Sequence, residues 1–282
     1  MPKALQVRLN HDWGDVMKYE TILLEKNNGF ATITLNQPEK LNLITNKMFG
    51  ELLEAFSDVG GDDRVKVAVL TGAGDIFSGG VDLREHFLDP IDKVKSGELN
   101  MALAQSFSEV GLPALLNIKK PMIAAINGAA VGLGFTLCLP FDIRIASENA
   151  RVILPFLRVG IAPEFGSTYF LPRLIGVSKS LELLYTGRPV DAQEAKEIGL
   201  VNMVVPADRL IEVTLEIAET IAKGSPIATR LTREAIYQGA KVDIETSLRS
   251  EHFTYNLCRQ TEDHEEAVRA FLEKRSPVFR GK

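Results

Sequence analysis

One carboxylate and two glycine-rich junctions have the residue types and spacing that suit chemistry in this sequence. Glu164 stands in VGIAPEFGST (Val159–Thr168), among Ile161, Ala162, Pro163, Phe165 and Gly166, a segment otherwise suited to an apolar interior or a tight turn. A Pro-Glu pair flanked by glycine is also what an ordinary surface turn contains. A carboxylate withheld from water is a stronger base, so the alternative role for Glu164 is proton transfer. The junctions are TGAGDIFSGGVDL (Thr71–Leu83) and NGAAVGLGFTL (Asn127–Leu137). Glycines there permit positive φ and close backbone approach, leaving N–H groups that can point at an anion or a carbonyl oxygen. Each alone reads as a plain turn; no P-loop is present, and Gly128, Gly132 and Gly134 do not follow the GxGxxG spacing.

The remaining reactive side chains do not assemble by spacing. His11, His86, His252 and His264 lie in charged stretches without paired ligand spacing and read as solvated, which predicts no metal site. Cys138 and Cys258 lack CxxC spacing and read as buried thiols in a reducing compartment. With 282 residues, 45% hydrophobic and 24% charged, the chain is long enough for one large core plus a smaller appendage. Its net charge is −5 and its basic residues are scattered, so it lacks the electrostatic footprint of a nucleic-acid binder. No apolar run reaches the ~18 residues of a membrane span and the N-terminus has no secretory pattern, so cytoplasm is the expected location.

The elements that must carry these groups follow from periodicity. Tyr19–Glu25 and Phe30–Leu35 alternate apolar and polar residues about a Lys-Asn-Asn-Gly turn, predicting a hairpin. Asn46–Gly60 has helical spacing and Val65–Thr71 reads as a buried strand. The unit recurs as a helix over Met101–Asn117, a strand over Pro121–Ile126, a small-residue helix over Gly132–Pro140 and a strand over Phe141–Ser147. Strands joined through helices predict an α/β core with parallel pairing. From Pro206 onward the signals are helical only, over Asp208–Ala222, Ile227–Gln238, Thr246–Arg259 and Thr261–Lys274. The expected division is a polar leader at 1–17, a core at 18–205 and a helical region at 206–282.

Several ordered motifs carry a resemblance. FSGGVDL (Phe77–Leu83), KPMIAAINGAAVGLG (Lys120–Gly134), FDIRIAS (Phe141–Ser147), LPRLIG (Leu171–Gly176), TGRPVDAQEAKEIGLVNMVVP (Thr186–Pro206) and AFLEKRSPVF (Ala270–Phe279) closely resemble the enoyl-CoA hydratase/isomerase (crotonase) superfamily, over residues 18–280. The resemblance implies a crotonase-like spiral of ββα turns with a C-terminal helical region that builds homotrimers, often paired into hexamers. It implies an acyl-CoA thioester substrate with no cofactor beyond the coenzyme A that the substrate itself carries. It further implies that the thioester oxygen lies between two backbone N–H groups, at Gly79 and Leu133, and that Lys40, Leu41, Gly80, Val81 and Asp82 lie along the CoA moiety. Phe135, Thr136 and Phe156 are then expected in the acyl pocket, closed by Phe87 and the helix near Met101–Phe107. Beside these roles, Asp82 reads equally as a helix cap and Lys40 as an exposed lysine. Asp142 reads as structural, and Arg158 and Arg173 as ion-pair partners.

The same resemblance implies which chemistry is retained. Hydratases of this type use two glutamates on one water, at positions that here hold Thr136 and Phe156, neither of which moves a proton at neutral pH. Glu164, eight residues beyond Phe156, matches the single catalytic glutamate of Δ3,Δ2-enoyl-CoA isomerases. Dienoyl-CoA isomerases place Asp there and add an acid where this chain has Phe156. The expectation is therefore an enoyl-CoA isomerase. Two alternatives stand beside it: another crotonase reaction, such as an unusual hydratase or a thioester or C–C hydrolase, and a non-catalytic acyl-CoA-binding or assembly subunit.

Overall fold

The computed structural model describes residues 16–100 and 106–282; most of the expected leader, and residues 101–105 of the expected helix Met101–Asn117, lie outside the described residues. The chain opens as an antiparallel meander of β1 (Val16–Lys18), β2 (Ile22–Asn27) and β3 (Phe30–Leu35). β1 takes up the last two residues expected as leader. Asn28 and Gly29 make the hairpin turn with φ of 50° and 84°, the left-handed pair that matches strand twist. α1 (Asn46–Gly61) is opened by Thr45, whose hydroxyl accepts from Met48 N–H at 3.1 Å. It buries Met48, Leu52, Ala55, Phe56 and Val59 at helical spacing and delivers the chain to β4 (Val67–Gly72), parallel to β3.

Thereafter the chain alternates between two sheets. β5 (Ile76–Ser78) enters a small sheet, and α2 (Asp89–Lys95) and α3 (Phe107–Leu116) lead back to the large sheet at β6 (Met122–Ile126). β7 (Ala129–Val131) and α4 (Leu133–Thr136) then precede β8 (Ile143–Ser147) and β9 (Arg151–Ile153). α5 (Ser167–Ile175), α6 (Val177–Thr186), β10 (Val190–Asp191), α7 (Ala192–Glu197) and β11 (Met203–Val205) complete both sheets. The large sheet runs β1-β2-β3-β4-β6-β8-β11, parallel from β3 onward, and the small one runs β10-β9-β7-β5. The small sheet is absent from the periodicity because its strands have only two or three residues, too few to show alternation.

Strand alternation separates two cores. Ala68, Leu70, Met122, Ala124 and Ile126 face the main core, while Val67, Val69, Ile123, Ala125 and Ile145 face the opposite way. That second face packs on Leu210, Ala218 and Ala222 of α8 (Leu210–Ala222). The region after residue 205 is thus not wholly an appendage, since its first helix covers the sheet. α9 (Pro226–Gly239), α10 (Ile244–Arg259) and α11 (Glu262–Leu272) follow, with Thr261 Oγ1 accepting from His264 N–H at 3.1 Å to open α11. Asp142 ties α9 to the core: Arg233 Nε lies 2.9 Å from both carboxylate oxygens, Tyr237 OH donates at 2.8 Å, and Met122 N–H donates at 2.8 Å. The structural role expected of Asp142 is what these bonds provide.

The expected helix Gly132–Pro140 is shorter than its apolar content suggests. Only Leu133–Thr136 is α-helical; beyond it, Cys138, Leu139 and Phe141 donate to carbonyls three residues back, at 2.8, 3.1 and 3.1 Å. The chain tightens into successive turns ahead of Pro140, which has no N–H to continue a helix.

Candidate active site

The two glycine-rich junctions and the Glu164 segment converge on one cavity of about 650 Å³, lined by Val81, Leu133 and Glu164 among others. Glu164 is held there by a sharp reversal of the chain. Phe165 and Gly166 have φ of 54° and 72°, and this left-handed pair turns the backbone directly into α5. A non-glycine residue in that region is disfavoured. Phe165 is held there by complete burial of its ring and by its N–H, which donates to Ser108 Oγ at 2.9 Å.

The same Ser108 hydroxyl donates to Glu164 Oε2 at 2.9 Å, and Thr136 Oγ1 donates to Oε1 at 3.5 Å. Burial pushes the Glu164 carboxyl above the ordinary glutamate range, outweighing the two hydroxyls that pull it down. A plain surface turn is therefore the wrong description of VGIAPEFGST. Ser108 carries no signal in the sequence that links it to Glu164; the contact exists because α3 is laid across the turn that follows Glu164.

The backbone donors differ from expectation at one position. Gly79 N–H donates to Leu41 O at 2.8 Å and Gly80 N–H to Ser78 Oγ at 3.1 Å, so both are occupied. The N–H groups of Val81 and Leu133 have no hydrogen-bond acceptor among the described residues, and both residues line the cavity. The amide expected as a donor at Gly79 is thus captured by a loop distant in sequence, and the free amide in the same junction is that of Val81. Gly80 makes the approach of the two junctions possible. At its φ of 91°, a Cβ would sit 2.7 Å from Val131 O and 4.0 Å from Leu133 N. Asn42 anchors the loop from below: its Nδ2 donates to the carbonyls of Ala73, Ile76 and Phe77 at 3.0, 2.9 and 3.2 Å, and its Oδ1 accepts from Gln37 N–H at 2.9 Å.

The other expected site residues divide. Gly80, Val81, Asp82, Phe87 and Phe156 line the cavity. Asp82 Oδ1 accepts from the N–H groups of Arg84 and Glu85 at 2.9 and 3.0 Å, so it caps the π-helical turn Arg84–Leu88, as its alternative role predicts. Lys40 and Leu41 are exposed on and just after the short turn Pro38–Lys40, and neither lines the cavity; Leu41 acts through its carbonyl oxygen.

Phe135 is a correction: it is fully buried in the main core and does not line the cavity. Helical geometry gives the reason, since a residue two positions after Leu133 points to the opposite side of α4 whereas Thr136, at three, returns to the Leu133 side. His86 is a second correction. It lines the cavity, with its ring centroid 4.6 Å from that of Phe107 and 4.8 Å from that of Phe87, and burial pushes its pKa down. Arg158 and Arg173 donate to the carbonyls of Thr186 and Tyr169 at 3.0 and 2.9 Å, in place of the expected acidic partners. Among the described residues, no three His, Cys, Asp or Glu side chains are grouped to hold a metal ion, and no helix is long and apolar enough to cross a membrane.

Comparison with known proteins agrees with this architecture. The family model for enoyl-CoA hydratase/isomerase matches residues 25–282. The chain is 35% identical over 260 residues to the short-chain-enoyl-CoA hydratase of Clostridium acetobutylicum, covering 92% of this chain and 97% of that one. It is 34% identical over 263 residues to the 1,2-epoxyphenylacetyl-CoA isomerase of Escherichia coli, covering 93% and 99%. The solved structure of an enoyl-CoA hydratase from Bacillus anthracis superposes with a TM-score of 0.82 at 37% identity, over 95% of this chain and 99% of that chain. From the sheet topology, the motifs at the cavity and these similarities along nearly the whole chain, the protein belongs to the enoyl-CoA hydratase/isomerase (crotonase) family.

Proposed function

We propose that the protein is an acyl-CoA isomerase that moves a 3-enoyl double bond into conjugation with the thioester, using Glu164 as the single proton carrier. The observation that carries this reading is that, among the described residues, Glu164 is the one carboxylate lining the cavity that is not committed to capping backbone amides, since Asp82 is. In the reaction, the Glu164 carboxylate takes a proton from C2. The C–H electrons become the C1–C2 double bond of an enolate whose negative charge rests on the thioester oxygen. Return of the proton to C4 moves the remaining double bond from C3–C4 to C2–C3 and restores the carbonyl.

The Val81 and Leu133 N–H groups are the donors for that oxygen in this reading. Two fixed donors in a water-poor site stabilise a developing oxyanion by several kcal/mol. Leu133, Phe156 and Ile161 keep water from the same space, and the raised pKa of Glu164 brings its basicity closer to neutral pH. Hydration would require a second acid, and the positions where the resemblance implies hydratase glutamates hold Thr136 and Phe156. The hydratase names of several relatives therefore weigh less than the side chains of this cavity. No metal or cofactor takes part in this scheme, because coenzyme A arrives as part of the substrate.

A homotrimeric or hexameric assembly belongs to the same proposal. Ile236, Ile244, Phe253 and Phe271 are 66%, 71%, 65% and 83% exposed on α9 to α11, an apolar surface that assembly would cover. Light scattering tests it, and a monomer would exclude it. Both cysteines are free thiols, which suits the cytoplasmic location we assign with it.

The test of the reaction is product mass from a panel of 3-enoyl-, 2-enoyl- and cyclic enoyl-CoA thioesters. Isomerisation leaves the mass unchanged and gives a conjugated product. Addition of one water, or release of free coenzyme A, identifies a hydratase or a hydrolase instead.

A further inference from the structure

His86 shares the cavity with Glu164 and has no part in the proton transfer described above. It sits in the π-helical turn Arg84–Leu88, three of whose residues, Arg84, His86 and Phe87, line the cavity. Such widened turns are rare and concentrate at functional sites. Phe107 packs on the imidazole at 4.6 Å between centroids and is itself stacked on Phe49 at 3.9 Å, so the ring is backed by a fixed aromatic wall. The next residue, Ser108, holds Glu164, which places His86 and the base along one edge of α3.

Neither ring nitrogen of His86 has a hydrogen-bond partner among the described residues, although the side chain is half-buried. Both nitrogens still face solvent, and a bound acyl group that displaces this solvent would leave the imidazole a polar group in need of a partner from the ligand. We propose that His86 is a specificity-determining residue whose imidazole hydrogen-bonds a hydroxyl on the acyl group, so that hydroxylated acyl-CoA thioesters are preferred over plain alkyl or aryl ones.

This rests on the reading of the cavity as an acyl-CoA site but not on the isomerase chemistry. A hydroxyl suits the site because a neutral imidazole offers one donor and one acceptor, as a hydroxyl does. Burial favours that neutral form, and only the nearby Glu85 charge opposes it. Phe87, Val131, Leu133 and Phe156 supply apolar walls that hold the hydrocarbon part of the same acyl group.

The experiment uses saturated thioesters, which bind without reacting. Hexanoyl-CoA is compared with its 4-, 5- and 6-hydroxy derivatives, and phenylacetyl-CoA with 4-hydroxyphenylacetyl-CoA, by calorimetry on the wild type, His86→Phe and His86→Gln. At least one hydroxylated thioester should bind the wild type about 10-fold tighter than its parent. His86→Phe should abolish that preference while the parent binds within about 3-fold of wild type, and His86→Gln, which keeps a donor and an acceptor, should retain part of it. Equal binding of every pair by the wild type, or an unchanged preference in His86→Phe, overturns the proposal. If His86→Phe does not fold by circular dichroism, the wild-type pairs and His86→Gln decide. Binding of none of the thioesters would overturn the acyl-CoA reading and this proposal with it, whereas an inactive enzyme that keeps the binding preference overturns only the isomerase chemistry.

Discussion

Ser108 Oγ donates to Glu164 Oε2 at 2.9 Å while accepting from Phe165 N–H at 2.9 Å, so one hydroxyl fixes both the carboxylate and the left-handed residue that follows it. The orientation of Glu164 is therefore set from α3, through a side chain that lines the same cavity. Removing this hydroxyl with Ser108→Ala should cost about 1–3 kcal/mol of stability, because it leaves a buried amide unpaired and frees the carboxylate. It should also move the acid limb of activity to higher pH, since a hydrogen bond that favours the carboxylate is lost. Chemical denaturation and a kcat/KM profile against pH read the two effects separately.

Glu164→Gln keeps shape and removes the base. In the proposed reaction kcat/KM on a 3-enoyl-CoA should fall at least about 100-fold. The affinity for a saturated acyl-CoA should change little. Retention of activity within a few-fold would remove Glu164 from the mechanism.

The raised pKa of Glu164 gives opposite signs for activity and stability. Burial lifts the folded value above the ordinary glutamate value of 4.5, so between the two the folded protein binds a proton that the unfolded chain has released. The associated stability is complete below the unfolded pKa and is lost as pH rises through the folded one. In the proposed reaction activity runs the other way, because only the carboxylate form of Glu164 accepts the C2 proton. The acid limb of kcat/KM should centre above 4.5, and Glu164→Gln should lose that limb together with this part of the stability profile.

Gly80→Ala tests the approach of the two junctions. The added Cβ would lie 2.7 Å from Val131 O on a backbone with φ of 91°, so one junction must shift. A strained position of this kind costs on the order of 1–3 kcal/mol. Displacing one oxyanion donor reduces kcat by roughly 100-fold or more. A melting curve and kcat on the same preparation show whether both occur; full activity would mean that the Val81 and Leu133 amides do not act as a fixed pair.

The tie between Asp142 and α9 predicts a purely structural effect. Arg233 and Asp142 are 10% and 20% exposed at their side chains, and Tyr237 OH and Met122 N–H also donate to that carboxylate. Arg233→Met should destabilise the protein by about 3 kcal/mol, because it leaves a largely buried carboxylate without its counter-charge. At temperatures where the variant stays folded, its kcat/KM should match the wild type.

Much of this protein is determined by local patterns. Alternation in Phe30–Leu35, helical spacing in α1 and apolar runs at β4, β6 and β8 specify elements whose burial requires stacking, and ordered motifs from Phe77 to Phe279 specify the family. Glu164 stood out from its sequence alone because a charge among Pro, Phe and Gly conflicts with its neighbours. Which amide of the first junction is left free, that of Val81 and not that of Gly79, was decided by a hydrogen bond to Leu41 that no spacing encodes. The removal of Phe135 from the cavity and the placing of the Thr136 hydroxyl against Glu164 were decided by where α4 begins; Thr136, also expected in the acyl pocket, is itself fully buried and does not line the cavity. Ser108 and His86 became site residues only when α3 was laid against the turn at Glu164 and the π-helical turn at Arg84–Leu88. Patterns within one element register which side chains are apolar, whereas partners for a single hydroxyl, amide or imidazole come from chain segments far apart in sequence, and only tertiary packing brings those together.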